Sequence, residues 1–217
     1  MSLGIAGFRK HLEAAVTTAR PVDPTCFAAV VFFKYVGIAL GVFLPDDTAL
    51  RDTADALAIA EQSGDPFAVA CALLARGVTL VHRHGPESAA GYDLLPQVRA
   101  MALAHQSSLV GVPIVDIHTA RRMARTADFD GAIELARAAL DNLIASGEMT
   151  FRGAATTTLV ESLLGRRTGG DIAEARAAID TLAAVPTDPG FVMHELPLLR
   201  MRALLARAQG DQDGYRD

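Results

Sequence analysis

Breaks between helical segments recur in this sequence every 40 to 43 residues, and this regular step limits the possible folds more than any other feature. The breaks fall at residues 44–47, 84–87, 126–128, 168–171 and 209–211. With positions 45, 85, 127, 170 and 210 as marks, the steps are 40, 42, 43 and 40. Steps of this size are typical of stacked helical hairpins. The pattern predicts an all-α fold: a right-handed superhelix of about ten helices in antiparallel pairs, forming one repeat domain over residues 1–217.

Composition argues against several classes of protein. Hydrophobic residues make up 51% of the chain, which is enough to bury a core and too many for a disordered protein. The formal charge of −5 is unlike that of a nucleic-acid-binding protein, which usually carries a basic face. The two cysteines, Cys26 and Cys71, each lie in an apolar helical run. We therefore expect two reduced core thiols in a cytoplasmic protein.

Residues 26–44 form a long apolar segment with one charge in 19 residues. This length approaches the ~20 residues that cross a bilayer. However, Lys34 lies at its centre, where a lysine is costly in a membrane. We expect a helix over residues 25–44 that is buried between neighbouring helices, not a membrane span.

Local signals predict the helix boundaries. Pro96 lies inside the predicted fifth helix, and we expect it to kink or split that helix. N-terminal caps are expected on the third, fourth and ninth helices, at Asp47 or Thr48, Asp65 and Asp171 respectively, and the seventh helix is expected to begin at Asp128 or Phe129.

The repeat pattern does not consist of a whole number of hairpins, because half a hairpin stands at each end. The first predicted helix has no partner before it, and the last unit contains only its first helix. Repeat arrays usually carry polar capping units at both ends. The pattern therefore predicts either a piece of a longer protein or a homodimer in which the ends pair with another copy.

No recognised catalytic or cofactor-binding motif is present in the sequence. A nucleotide P-loop is missing, and residues 168–171 are predicted to be an ordinary turn between helices. His82 and His84 are two residues apart, whereas two metal ligands on one helical face need a spacing of three or four. The polar patch at residues 156–158 is expected to bond back to the preceding helical turn. We expect no cofactor, no metal site and no enzymatic activity in this segment.

Arginines in the third unit form the best candidate for a partner-binding site. His118, Arg122 and Arg125 are spaced i, i+4 and i+7 on one predicted helix, with Arg121 beside them and Arg152 on the equivalent helix of the next unit. The first helices of a solenoid line its concave surface, so these residues are candidates to bind an acidic peptide or a neighbouring domain. The alternative is a solvated face with ion pairs to Asp116, Asp128 and Asp130.

Residues 127–135 (ADFDGAIEL), followed by Ala139 and Leu140, resemble the turn of a tetratricopeptide repeat. Residues 170–172 with Ala175 repeat the pattern weakly. The tryptophan and the Leu-Gly pair of that family are missing, and the step exceeds its usual length of about 34 residues. The repeats are thus similar to the degenerate, lengthened repeats of maltose-activator-type helical domains.

Residues 65–217 also resemble the C-terminal helical region of large actinobacterial signalling proteins that join a nucleotide cyclase or helix-turn-helix domain to a P-loop ATPase. Residues 64–66 (GDP), 74–77 (LARG) and 198–217 carry this resemblance. It implies a sensory or scaffolding segment beside catalytic domains. Neither the metal-binding aspartates of a cyclase nor the ATPase P-loop occurs in this chain.

The sequence thus favours a protein-interaction and regulatory helical repeat domain of a cytoplasmic signalling protein. Its partner would be a protein, a peptide or a neighbouring domain of the same chain. The alternative is a small-molecule sensor with an apolar cavity around Phe32, Phe33 and Tyr35. An enzyme is the third possibility, and it would need titratable groups that converge in a cleft.

Overall fold

The computed structural model describes residues 5–83, 85–105 and 111–211. Within these ranges every regular element is helical and no strand is present, so the predicted all-α class is confirmed. The described residues form ten α-helices: α1 (Ile5–Ala19), α2 (Pro24–Tyr35), α3 (Asp47–Ser63), α4 (Pro66–Val81), α5 (Pro86–His105), α6 (Gly111–Arg125), α7 (Phe129–Ala145), α8 (Arg152–Arg166), α9 (Asp171–Ala183) and α10 (Val192–Gln209). Their arrangement as a superhelix stays a prediction.

Aspartates cap the N-termini of four helices. The carboxylates of Asp23, Asp46, Asp65 and Asp128 accept hydrogen bonds of 2.7–3.1 Å from backbone N–H groups in the first turns of α2, α3, α4 and α7. Each bond satisfies a donor that the helix itself leaves unpaired. The predicted cap of α4 is therefore confirmed, and α7 begins at Phe129, one of its two predicted first residues. The cap of α3 is Asp46, one residue before the predicted pair.

The contacts divide the chain into two compact units, Met1–Val115 and Asp116–Asp217. In the first unit, α2 packs against α1, α3 and α4, and α4 packs against α5. Helix α4 buries 12 of its 16 residues. The core of this unit therefore lies along α4 and the apolar face of α2. One continuous repeat domain over residues 1–217 stays a prediction.

Two glycines let α4 and α5 approach closely. A Cβ built on Gly91 would lie 2.6 Å from the backbone nitrogen of Val81 and 2.9 Å from the carbonyl oxygen of Gly77. Because these are backbone atoms, they cannot move aside by a change of rotamer. A larger residue at position 91 would therefore push the two helices apart.

The prediction of a helix over residues 25–44 is right up to Tyr35 and wrong for the rest of that range. Helix α2 ends at Tyr35 and continues as a short 3-10 turn, Val36–Ile38. The chain then reverses, because Val42 N donates a 2.9 Å hydrogen bond to Gly37 O and Gly41 adopts a positive φ of 72°. Arg9 of α1 donates two further hydrogen bonds to Val42 O. Among the described residues, no helix combines the length and hydropathy needed to cross a membrane.

Helix α5 runs without interruption through Pro96, so the helix is not split there, and the alternative prediction of a kink stays a prediction. Pro96 is exposed. Proline has no backbone N–H, so the carbonyl of Tyr92 lacks the helical donor at position 96.

In the second unit, α8 packs against α7, α9 and α10, and α9 also contacts α10. The hydroxyls of Thr156, Thr157 and Thr158 donate to carbonyl oxygens four residues earlier, at 2.8–2.9 Å. This confirms the predicted back-bonding. It also explains how α8 buries three polar side chains, since each hydroxyl is satisfied within its own helix.

One arginine joins three helices in the first unit. Arg83, just after α4, donates to Asp47 in the first turn of α3 at 3.1 Å and to Glu87 in the first turn of α5 at 2.6 Å. It also donates to Pro45 O at 3.0 Å. The guanidinium therefore ties the end of one helix to the starts of its two neighbours.

The second unit contains the same device. Arg166, the last residue of α8, donates to Asp130 in the first turn of α7 and to Asp171 in the first turn of α9, both at 2.6 Å. A repeated arginine at the end of every second helix was missed by the sequence prediction, although its spacing is regular. Arginines stand at positions 83, 125, 166 and 207, at steps of 42, 41 and 41.

Candidate functional site

The arginines predicted to bind a partner have different environments in the structure. Arg121 Nε donates to Thr158 Oγ1 at 3.0 Å. Arg152 donates to the carbonyl oxygens of Glu148 at 2.6 Å and Leu143 at 3.4 Å. Because these guanidinium groups bind neighbouring helices and turns, part of their hydrogen-bonding capacity serves the fold.

His118 is only 1% exposed, whereas Arg122 and Arg125 on the same helix are exposed. The helical spacing placed the three residues on one face, but the histidine packs into the interior. Its side chain is therefore not part of an accessible binding surface. Partner binding by Arg122 and Arg125 stays a prediction.

A different cluster of arginines lines a cleft between α8 and α10. The cleft has a volume of about 590 Å³. Its lining contains three arginines, one glutamate and a floor of apolar and small residues: Glu161, Leu164, Gly165, Arg167, Arg200, Leu204, Arg207 and Ala208. We call this site the α8–α10 cleft.

Packing at the N-terminal ends of the two helices explains where the cleft lies. A Cβ on Gly153 of α8 would lie 2.2 Å from Met193 O and 2.9 Å from Cγ of Pro197 on α10. The helices are therefore in close contact near their N-terminal ends. The cleft lies beside their C-terminal halves, where Met201 and Leu205 of α10 face the core instead.

The cleft carries more positive than negative charge. Arg200 Nη2 lies 2.5 Å from Glu161 Oε1, and these side chains are 66% and 33% exposed. Arg167 Nε donates to Leu164 O at 3.1 Å, and Arg207 is the third arginine of the lining. The lining therefore contains three arginines and a single carboxylate.

The sequence contained a signal for this site. Arg200, Leu204, Arg207 and Ala208 are spaced i, i+4, i+7 and i+8, which places them on one helical face. The spacing alone does not show that α8 lies beside this face. The sequence prediction therefore chose the arginines of α6, where the same kind of spacing occurs.

A buried polar cluster in the first unit was also missed. Tyr35 OH donates to Asp52 Oδ2 at 2.5 Å, and Lys34 Nζ lies 3.5 Å from the same oxygen. Burial raises the pKa of the Tyr35 phenol, and its hydrogen bond to Asp52 raises it further. The phenol therefore remains a donor and links α2 to α3. Lys34, which is 7% exposed, is accommodated in the fold by this carboxylate.

No protein-family model, curated protein or solved structure matches this chain.

Metal-ligating side chains do not cluster in the part of the chain that the structure describes: no three His, Cys, Asp or Glu residues there could share an ion. Of the two histidines considered from the sequence, His84 lies outside the described residues. The turn before α9 is filled by the chain itself, since Thr168 N and Thr168 Oγ1 donate to Asp171 Oδ2 at 2.7 and 3.0 Å. Asp171 thus follows the N-cap, Gly170, and does not serve as the cap.

Proposed function

We propose that this chain is a non-catalytic protein-interaction and regulatory domain, and that its α8–α10 cleft binds an acidic segment of a partner protein or of a neighbouring domain. The observation that carries the proposal is the cleft itself: three arginines around an apolar floor, with one carboxylate among them.

The chemistry of the arginines supports an acidic ligand. A guanidinium group can donate two parallel hydrogen bonds to one carboxylate, which gives both affinity and direction. Arg200 already binds a carboxylate, that of Glu161, across the cleft. Because both side chains are in contact with solvent, this ion pair contributes only about 0–1 kcal/mol. A ligand carboxylate can therefore take the place of Glu161 at little cost.

The size and floor of the cleft support a short peptide segment. Its volume of about 590 Å³ lies within the range of about 300–1,000 Å³ that is common for ligand sites. Leu164, Leu204 and Ala208 offer an apolar floor between the charged groups. A segment in which acidic and apolar residues alternate would satisfy both parts of the lining.

The resemblance to cyclase- and ATPase-associated helical regions supports a regulatory role. In that setting, a bound segment would favour one packing of the helices and so shift the populations of the attached domains. The same proposal places the chain in the cytoplasm, which is consistent with two cysteines that form no disulfide.

The proposal can be tested with a fluorescein-labelled peptide of alternating glutamate and leucine, measured by fluorescence anisotropy at low salt. We expect saturable binding that weakens as salt is added, because surface charges are screened. A variant with Arg200→Gln and Arg207→Gln should bind roughly tenfold or more weakly, since each lost charge-assisted hydrogen bond contributes about 1.5–3 kcal/mol.

Arg137→Gln is the matched control. Arg137 forms an ion pair with Glu174 at 2.5 Å, the same length as the pair in the cleft, but it joins α7 to α9. This variant should bind the peptide normally. Equal binding of a peptide with glutamine in place of glutamate would contradict the proposal. Loss of binding in an Arg122→Glu, Arg125→Glu variant alone would move the site to α6.

The small-molecule alternative has less support in the structure. Phe33 is 61% exposed, while Phe32 and Tyr35 are buried. The Tyr35 hydroxyl is committed to Asp52. The three rings therefore do not share an enclosed cavity of the kind that a buried ligand requires.

A further inference from the structure

Helix α10 exposes a stripe of apolar side chains on the side opposite its buried face. Leu196 and Leu199 are 63% and 61% exposed, and Val192, Ala203 and Ala206 are partly exposed along the same stripe. The buried face of the helix consists of His194, Met201 and Leu205. Large leucines exposed side by side on one helix are typical of an interaction surface. We call the five exposed and partly exposed residues, Val192, Leu196, Leu199, Ala203 and Ala206, the α10 seam.

The spacing of the seam is that of a coiled coil. Residues 192, 196, 199, 203 and 206 are separated by four, three, four and three positions. This alternation keeps one narrow stripe facing a single partner helix along its whole length. The large residues lie in the N-terminal half of the seam and the two alanines in its C-terminal half.

The flanks of the seam determine which partner fits. Glu195 and Arg202 are exposed on one flank, seven residues apart. On the other flank, Arg200 is paired with Glu161 of its own chain at 2.5 Å. The seam therefore presents one acidic and one basic group on the same side, at opposite ends.

We propose that the α10 seam binds a second copy of this chain, with the two α10 helices antiparallel and Leu199 at the two-fold axis. In this register Leu199 meets its own symmetry mate, while Leu196 packs against Ala203 and Val192 against Ala206 of the other copy. Glu195 and Arg202 then form two identical ion pairs between the copies. The surface is self-complementary in size and in charge, as a two-fold interface requires.

A parallel pair fits less well. It would bring the leucines of both copies to one end and the alanines to the other. Parallel helices also place a residue beside the one five positions further along its partner, so Arg202 would lie close to Arg207 of the other copy. Like charges at that distance repel. In the antiparallel register Arg200 lies beside its symmetry mate near the axis, but each Arg200 is paired with Glu161 of its own chain. The antiparallel arrangement also aligns the helix dipoles favourably.

The association is tested by sedimentation equilibrium of the full chain at concentrations from low to high micromolar. The contact is one helix pair, which is at the small end of specific interfaces, so we expect a concentration-dependent equilibrium of monomer and dimer. Leu199→Asp should raise the dissociation constant more than tenfold. The matched control is Ile144→Asp on α7, where an apolar side chain is 46% exposed, and its dissociation constant should not change.

Charge reversal tests the register. Glu195→Arg alone and Arg202→Glu alone should each weaken association, because each places like charges opposite one another twice. An equimolar mixture of these two variants should restore a heterodimer, since both cross-pairs become attractive. The substituted side chains are exposed in the monomer, so we expect the fold to be kept. Circular dichroism of each variant checks that its helix content is unchanged.

Three results would overturn the proposal. One is a chain that remains monomeric at every concentration. Another is a dimer that persists in the Leu199→Asp variant. The last is stronger association of Arg202→Glu on its own, which would indicate parallel helices. Arg200 borders both the α10 seam and the α8–α10 cleft, but the two proposals are read from different measurements, the association state of the chain and the anisotropy of the labelled peptide.

Discussion

The carboxylate of Asp171 joins the end of α8 to the start of α9. It accepts hydrogen bonds from Arg166 Nη2 at 2.6 Å and from Thr168 N at 2.7 Å, and the residue is only 2% exposed. The hydrogen bond from the Arg166 guanidinium is the main cause of the lowered pKa of Asp171, about 2. At the scale of single residues, the native fold therefore favours the charged form of this carboxylate.

The lowered pKa makes a prediction about pH. Its folded-state pKa lies below the usual value of 3.8, so the stabilisation is complete above about pH 4 and is lost as the pH falls towards 2. Asp171→Asn should therefore lower the free energy of unfolding by about 2 kcal/mol at pH 7. The difference from the wild type should shrink at low pH. Urea unfolding followed by circular dichroism at several pH values measures both effects.

Asp130→Asn serves as the control for this prediction. Asp130 binds the same guanidinium group, but its side chain is 84% exposed. A solvated ion pair contributes about 0–1 kcal/mol, so this variant should change stability little at any pH. A loss as large as that of Asp171→Asn would show that burial is not the cause.

At the scale of helices, close backbone contacts fix how neighbours pack. Gly91 of α5 lies so close to α4 that even a methyl group would overlap backbone atoms. On helix propensity alone, glycine is unfavourable at this position, because it costs about 1 kcal/mol relative to alanine inside a helix. The glycine is thus explained by tertiary packing.

Gly91→Ala tests this explanation. The gain in helix propensity should be outweighed by the overlap, and we expect a net loss of about 1–3 kcal/mol in the free energy of unfolding. Gly169→Ala is the matched control, because a Cβ there would meet no atom within 4 Å. Stabilisation by Gly91→Ala in urea unfolding would show that α4 and α5 are further apart than described.

At the scale of the whole molecule, the two cysteines report on different environments. Cys26 is exposed, so the expectation that it lies in the core is wrong, whereas Cys71 is buried in α4 as expected. Burial, assisted by the charge of Asp65, raises the pKa of the Cys71 thiol to about 11. Since the thiolate is the reactive form, burial and the raised pKa both make the Cys71 thiol of the native protein unreactive near neutral pH.

Labelling with a coloured thiol reagent should therefore show one fast and one very slow thiol in the native protein. Both should react fast in urea, where the core around Cys71 is open. Cys26→Ser should remove the fast phase, and Cys71→Ser the slow one. If both thiols of the native wild-type protein were labelled fast, the described packing of α4 would be contradicted.

Local sequence determined the ten helices and most of their ends, because turn residues and aspartate caps act over three or four residues. The capping residue itself was predicted correctly only for α4, at Asp65. It also contained the step of 41 or 42 residues between arginines such as Arg83 and Arg166. What only the tertiary structure decided is which face of each helix meets a neighbour. His118 is buried and Arg122 exposed despite their common spacing, and α2 ends at Tyr35 because the chain folds back through Gly37 and Val42. Burial and the α8–α10 cleft depend on contacts between segments far apart in the chain, and no local pattern specifies them.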